Sequence, residues 1–386
     1  MTTRRNFLKC SALLGAAASF PVQYALAQTT PSQTTPAAAD GHDPLFTDAH
    51  GAIRAGNPKP RTITIPDVGK YKVLKGDFHM HTLFSDGHVM PKVRVQEAVE
   101  NGLDCIAITD HIEYRPFLGG DSIKLVEDND DHNIAYNVAK PEADKSNLIL
   151  IRGTEITKRT MPPGHFNAIF IKDTNAIAAV VDDWKKMLAV ATDQGGFVFW
   201  NHPGWVAPTS GGLEKGVPMS FTDEHEDVRK KGYLHGVEVF NGSSHFPIVS
   251  DWCNERDLGL ITVSDIHVTE YQQYGVQNLR RPMTLILAEE RTEVSIREAF
   301  FAKRTVGWAA DKIFGRPEWV EKLFRSSVEI KKEGKSLTLR NLGDIPCFIE
   351  GKELVAQGTA TISQTQKLTV SNWFVGTNKP LEVAVQ

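Results

Sequence analysis

Between residues 73 and 288 the apolar positions come in short bursts, each too brief for a helix. The runs at 73–79, 104–109, 148–153, 197–201, 236–240, 260–264 and 283–288 predict strands buried on both faces, since a few apolar-leaning residues bounded by turn formers fit a covered sheet. Helical patterns lie between them. Ile177, Val180, Val181, Trp184, Met187, Leu188 and Ala191 recur at three- and four-residue spacing and predict an amphipathic helix. Pro91 stands at a helix start and Gly102 just past its end. Strands alternating with helices imply βαβ units, hence an α/β fold with a parallel sheet. Beyond residue 325 the pattern switches to alternation with Gly-rich turns, over 336–341, 345–350, 358–363 and 368–373, and predicts a small C-terminal all-β domain. That appendage carries no ligand cluster, which leaves packing or homo-oligomerisation as its role.

Five of the strand runs stop at a residue able to ligate a metal. They lead to His79-Met80-His81, Thr109-Asp110-His111, Gly153-Thr154-Glu155, Asn201-His202-Pro203 and Ser264-Asp265-Ile266-His267. Residues i and i+2 of a strand share a face, so His79 and His81 present two imidazoles to one point. Such a pair is either a metal site or the polar edge of a core. Repetition at five strand ends favours the metal, because the carboxyl ends of parallel barrel strands gather at one face.

These motifs, with Ser85-Asp86-Gly87 and His165, resemble the PHP (polymerase and histidinol phosphatase) superfamily over roughly residues 73–305. The resemblance implies a distorted seven-stranded (β/α)7 TIM-like barrel, placed here over 61–324 and followed by the β domain at 325–386. It implies two to three divalent ions. One would take His79, His81, Glu155 and Asp265; a second would share Glu155 and add His165 and His202; a third would take Asp86, His111 and His267. Family members often have His where this chain has Asp86. A nitrogen and oxygen donor set without thiolate suits Mn, Zn or Fe. The implied chemistry is hydrolysis of a phosphate ester by a metal-bridged hydroxide, with Glu155 and Asp265 as the central carboxylates. Asp110-His111-Ile112-Glu113-Tyr114-Arg115-Pro116 and the stretch from Met161 through His165 to Asn167 are similar to an exported subgroup that includes phosphodiesterases of small substrates. A small phosphate diester is therefore the expected substrate. A periplasmic phosphomonoesterase is the alternative, and a metal-binding domain without activity a further one. An amidohydrolase also opens with His-x-His, but its bridging lysine at the fourth strand is replaced here by Asn201-His202.

Further positions complete the expectation. Arg115, Lys158 and Arg159 are candidates to hold phosphoryl oxygens, His245 to protonate the leaving group, and Asp110 to orient a ligand histidine. The acid-rich stretch 112–147 is either a lid or a solvated excursion. A net charge of −4 argues against a nucleic-acid-binding surface. Cys105, Cys253 and Cys347 fall in apolar surroundings and are expected as small buried hydrophobes. At the start, Thr3-Arg4-Arg5-Asn6-Phe7-Leu8-Lys9, an apolar stretch and Ala25-Leu26-Ala27 form a twin-arginine signal peptide over 1–27. Cys10 precedes the apolar stretch, which speaks against a lipid anchor; a periplasmic protein is expected, with 28–60 as linker and N-terminal segment.

Overall fold

The computed structural model describes residues 61–118, 131–157, 161–206 and 211–385. The signal peptide and linker, Lys158, Arg159 and part of the acid-rich stretch lie outside the described residues.

Each expected strand run holds a strand. β1 (Lys72–Asp77), β2 (Cys105–Ile108) and β3 (Ile149–Ile156) pair in parallel. β4 (Phe166–Ile169) then runs antiparallel between β3 and β5 (Phe197–Trp200). The connection 157–165 is too short for a crossover helix, so the chain must return beside β3. β6 (Gly236–Asn241) is parallel to β5, the two-residue β7 (Ser244–His245) folds back on it, and β8 (Gly259–Val263) is again parallel to β6. β9 (Met283–Ala288) pairs antiparallel with β1. The sheet is therefore mixed, and it differs from the expected barrel of seven parallel strands in a second way: its ladder does not close. β8 meets β9 through side chains, with Thr284 Oγ1 donating to Thr262 O at 2.8 Å and accepting from Thr262 N at 3.0 Å. Beyond that, one isolated parallel bridge, Met80 to Ile266, joins the ends of β1 and β8.

Alternate residues explain why the runs are continuously apolar. Cys105 and Ala107 of β2 and Phe197 and Phe199 of β5 face an inner cluster with Leu74, Phe78, Ile261, Val263 and Ile286. Their neighbours Ile106, Ile108, Val198 and Trp200 face outward beneath helices. The helices are α1 (Pro91–Glu100), α2 (Ile134–Lys145), α3 (Thr174–Ala178), α4 (Trp184–Asp193), α5 (Asp223–Lys230) and α6 (Ile248–Arg256), then the single turn α7 (Glu270–Gln273), α8 (Glu293–Phe301) and α9 (Pro317–Ser327). The amphipathic stretch expected as one helix is divided. α3 ends at Ala178, and Asp183 caps α4 by accepting from Lys186 N at 3.1 Å. All three described cysteines are buried and free.

β10 (Thr305–Ala309) and β11 (Lys312–Gly315) extend the sheet antiparallel from β9. After α9 come β12 (Val328–Glu333), β13 (Ser336–Asn341), β14 (Cys347–Ile349), β15 (Lys352–Leu354), β16 (Thr359–Ser363), β17 (Lys367–Gly376) and β18 (Lys379–Ala384). β12, β13 and β16 form a separate three-stranded sheet. β17 instead pairs in parallel with β11 and carries β14 and β18, so the C-terminal strands continue the main sheet.

Candidate metal centre

The strand ends converge on a cleft of about 460 Å³ lined by His81, Asp86, His111, Glu155, His165, His202, Asp265 and His267, with the ninth expected ligand, His79, fully buried behind them. His79 Nε2 lies 3.1 Å from His81 Nε2, 3.1 Å from Glu155 Oε2 and 3.2 Å from Asp265 Oδ1. His81 Nε2 lies 3.2 and 3.1 Å from the same two oxygens. Donor atoms 3.1–3.2 Å apart can share one ion bound at about 2 Å, the bond length of zinc to imidazole and carboxylate. Asp265 Oδ1 is buried with no hydrogen-bond partner, an unmet acceptor of the kind a cation satisfies. The donor set fits a divalent ion.

Glu155 turns its other oxygen the opposite way. Oε1 is 2.8 Å from His165 Nδ1 and 3.8 Å from His202 Nε2. A third group surrounds Asp86, whose Oδ1 lies 3.3 Å from His267 Nε2 and 3.4 Å from His81 Nδ1, while Oδ2 lies 3.5 Å from His111 Nε2. His81 thus faces two groups, one with each ring nitrogen, and His202 also gathers with His79 and Asp265.

Local structure presents these side chains under constraint. His202 and Asp265 have φ of +27° and +48°, a region that costs a residue with a side chain about 1–3 kcal/mol. Asp110 receives Thr82 N at 2.7 Å, Thr82 Oγ1 at 2.6 Å and Ser85 Oγ at 2.5 Å, which closes the turn between His81 and Asp86. It reaches no ligand histidine directly; Ser85 Oγ relays to His81 Nδ1 at 3.3 Å. From α1, the buried Arg94 donates to the carbonyls of His81 (2.9 Å), Ile266 (3.0 Å) and Val268 (2.7 Å), pinning the ends of β1 and β8 together.

The charges are mutually compensating. Burial alone would lower the imidazolium pKa values of His79 and His81, but the carboxylates Asp265 and Glu155 outweigh it; His79 is raised well above its usual value and His81 to about 10. Burial would equally raise the carboxyls of Glu155 and Asp265, yet the surrounding histidines hold both well below the usual range.

Behind the ligands stands a second layer that the strand-end pattern does not announce. Glu238, fully buried on β6, accepts from His79 Nδ1 at 2.7 Å, His202 N at 2.6 Å and Asn241 Nδ2 at 2.9 Å. Such carboxylate–histidine pairs fix the ring that ligates. Asp77 accepts from Ser264 N at 3.1 Å and pairs with the buried Arg281. Two expected residues lie away from the cleft. On the short strand β7 the flanking Ser244 and Phe246 line the cavity, so His245 faces the other side and packs tilted against Phe314, with ring centroids 4.4 Å apart; the role of acid to the leaving group does not fit that position. Arg115 donates to Phe84 O at 3.1 Å, in the turn between His81 and Asp86, and lies beside His132; it is not among the residues that line the cleft. Tyr114 and Trp205 stand at the rim.

Residues 77–200 match the model of the PHP domain. A crystal structure of a two-domain protein from Bacteroides vulgatus, named as containing a predicted PHP-like metal-dependent phosphoesterase, is 32% identical, with a TM-score of 0.77 and coverage of 86% of this chain and 99% of its own. A putative metal-dependent phosphoesterase from Bifidobacterium adolescentis overlaps more loosely, at 18% identity and a TM-score of 0.36 over 50% of this chain and 88% of that one. An amidohydrolase from Chromobacterium violaceum gives 13% and 0.37 over the same shares. None of the curated proteins compared with the chain matches it.

Proposed function

Because the chain belongs to the PHP family of metal-dependent phosphoesterases, we propose that it hydrolyses small phosphate diesters at a site for three divalent ions. The observation that carries this reading is the division of Glu155: one carboxylate oxygen completes the group of His79, His81 and Asp265, and the other faces His165 and His202. A carboxylate divided in this way would serve two adjacent ions. Asp86, with His111 and His267, would hold the third. When bound, such ions supply hydroxide at neutral pH, by lowering the pKa of water from 15.7 toward about 7, and positive charge for the phosphoryl oxygens.

The protein's own groups do the positioning. Glu238 keeps the His79 Nδ1 proton, so Nε2 is free to ligate. Asn201 Nδ2 donates to Glu155 Oε1 at 3.0 Å and holds that carboxylate in place. Tyr114, Trp205 and Phe246 line the cleft with aromatic surface on which an ester arm can lie. Lys158 and Arg159, in the segment from Glu155 to His165, are the cations assigned to the phosphoryl oxygens. The diester substrate is supported by the similarity of residues 110–116 and 161–167 to the exported subgroup. The twin-arginine pattern of residues 3–9 supports a periplasmic location for the mature chain.

Turnover of bis(4-nitrophenyl) phosphate against 4-nitrophenyl phosphate, by metal-replete protein starting at Gln28, tests the reading. The diester should be preferred, and Glu155→Ala should abolish turnover together with part of the bound metal measured by elemental analysis. Preference for the monoester would make the protein a phosphomonoesterase. Metal bound without turnover of either ester would make it a binding domain.

A further inference from the structure

The turn that carries His202 runs on through Pro203 and Gly204 to Trp205, and its backbone is held at both ends of the indole-bearing residue. Trp205 N donates to His202 O at 2.9 Å, and Trp205 O accepts from Leu213 N at 2.7 Å. A Cβ at position 204 would lie 2.7 Å from two ring carbons of Phe246, so the turn rests on that ring only with glycine there. The indole meets two of the ligand histidines: His202, with ring centroids 5.2 Å apart and planes at 69°, and His165, at 5.8 Å and 61°. Rings at such angles do not lie flat on one another. Trp205 lines the cleft and is 40% exposed, although tryptophan is on average a well-buried residue. It is thus fixed beside the group of Glu155, His165 and His202 while part of its surface stays uncovered. Tyr114 is likewise exposed at the cleft but touches a single ligand, His111, at 5.9 Å and 71°.

Shielding the ligands from water would need only apolar bulk, which a leucine supplies. An uncovered indole offers a π surface as well, and this rewards a planar partner beyond the area it covers. A ring already held in place takes such a partner without first being ordered. Because Trp205 touches both histidines of the second ion group, an alcohol arm on a phosphate bound there would be its immediate neighbour. We infer that Trp205 is a specificity residue, and that the substrate is a phosphate diester one of whose alcohols carries a planar aromatic ring, received on the indole. The inference rests on the diesterase reading and names its substrate class.

The test uses a pair of diesters that share the aliphatic leaving group trifluoroethanol and differ in the second arm, benzyl or cyclohexylmethyl, similar in size but planar only in the first. Release of trifluoroethanol is followed by fluorine NMR. The wild-type protein should favour the benzyl arm by about fivefold or more in kcat/KM, chiefly through KM. Trp205→Leu should bring that ratio close to one, and Trp205→Phe should keep part of it. The ratio between two substrates on one protein preparation is insensitive to partial loss of folded enzyme. If the indole only shields His165 and His202, Trp205→Leu lowers turnover of both diesters alike and the ratio survives, which overturns the inference, as does a wild-type ratio near one. Turnover of neither diester counts against the diesterase reading instead. In that event calorimetric binding of benzylphosphonate against cyclohexylmethylphosphonate to the metal-loaded protein decides the subsite separately: equal affinity, or a preference unchanged in Trp205→Leu, rejects it.

Discussion

At the scale of single residues the centre is a set of ion pairs waiting for exchange. In the metal-free protein Asp265 and Glu155 outweigh burial, pushing His81 up to about 10 and raising His79, while the surrounding histidines hold Glu155 and Asp265 below the usual carboxylate range. His81 therefore carries a proton at pH 7 that must leave as an ion enters. Titration of zinc into the metal-free protein, in two buffers of different ionisation enthalpy, should register release of roughly one to two protons at pH 7. Affinity should rise from pH 7 upward toward 10. A proton count of zero would mean that the cage is already neutral. The sign for stability is opposite: the histidine–carboxylate attraction in the metal-free fold is fully present below pH 6.5 and fades as pH rises through about 10. Seven of the nine candidate ligands were legible because each stands at the end of a strand run, where a polar residue after an apolar run stands out, whereas Asp86 and His165 came only with the family resemblance. Glu238 left a signal too, a carboxylate inside Gly236-Val-Glu-Val-Phe-Asn241, but a charge in a strand does not say what it faces. His245 misled because its direction depends on the two-residue β7, whose register no periodicity reports.

Among the elements, α1 does more than cover the sheet. Its buried Arg94 collects three carbonyls from the turns that hold His81, Ile266 and Val268 and pairs with Glu97, whose other oxygen accepts Glu270 N at 2.7 Å. Arg94→Met keeps the volume and removes every donor. It should cost about 3–5 kcal/mol in equilibrium denaturation, as loss of one partner of a buried pair does, and loosen metal bound through Asp265 and His267. A cost below about 1 kcal/mol would show that the turns hold themselves. The positions of strands were readable, since short apolar runs recurring between helical stretches fit a covered sheet and little else. β4 was not among the expected strands at all, and the antiparallel direction of β9, set by its partner, is not written in the local pattern. The break between α3 and α4 could have been found in Asp182-Asp183, an acidic pair inside an otherwise apolar helical face.

For the whole molecule the boundary expected at residue 325 separates two patterns but not two cores. Trp373, Leu368, Val370 and Leu381 from the C-terminal strands share one apolar cluster with Ile106, Ile108 and Leu285. The change from helical period to alternation was legible, whereas the parallel pairing of β17 with β11 joins residues far apart in sequence and has no local mark. In urea, the chain from Arg61 to Gln386 should unfold in a single transition, with circular dichroism and tryptophan fluorescence coincident. A chain ended at Ser327 should be insoluble, since it would expose the edge of β11 and the apolar surface that Trp373 covers. Two separated transitions, or a soluble shortened chain, would show independent domains.

The left-handed backbone at His202 and Asp265 has a further meaning for descent. Glycine or asparagine would sit in those torsions with less strain, so a lineage released from the reaction gains stability by substituting there. Copies of this fold that have given up hydrolysis should therefore carry the change at these two positions early, and should be firmer proteins for it.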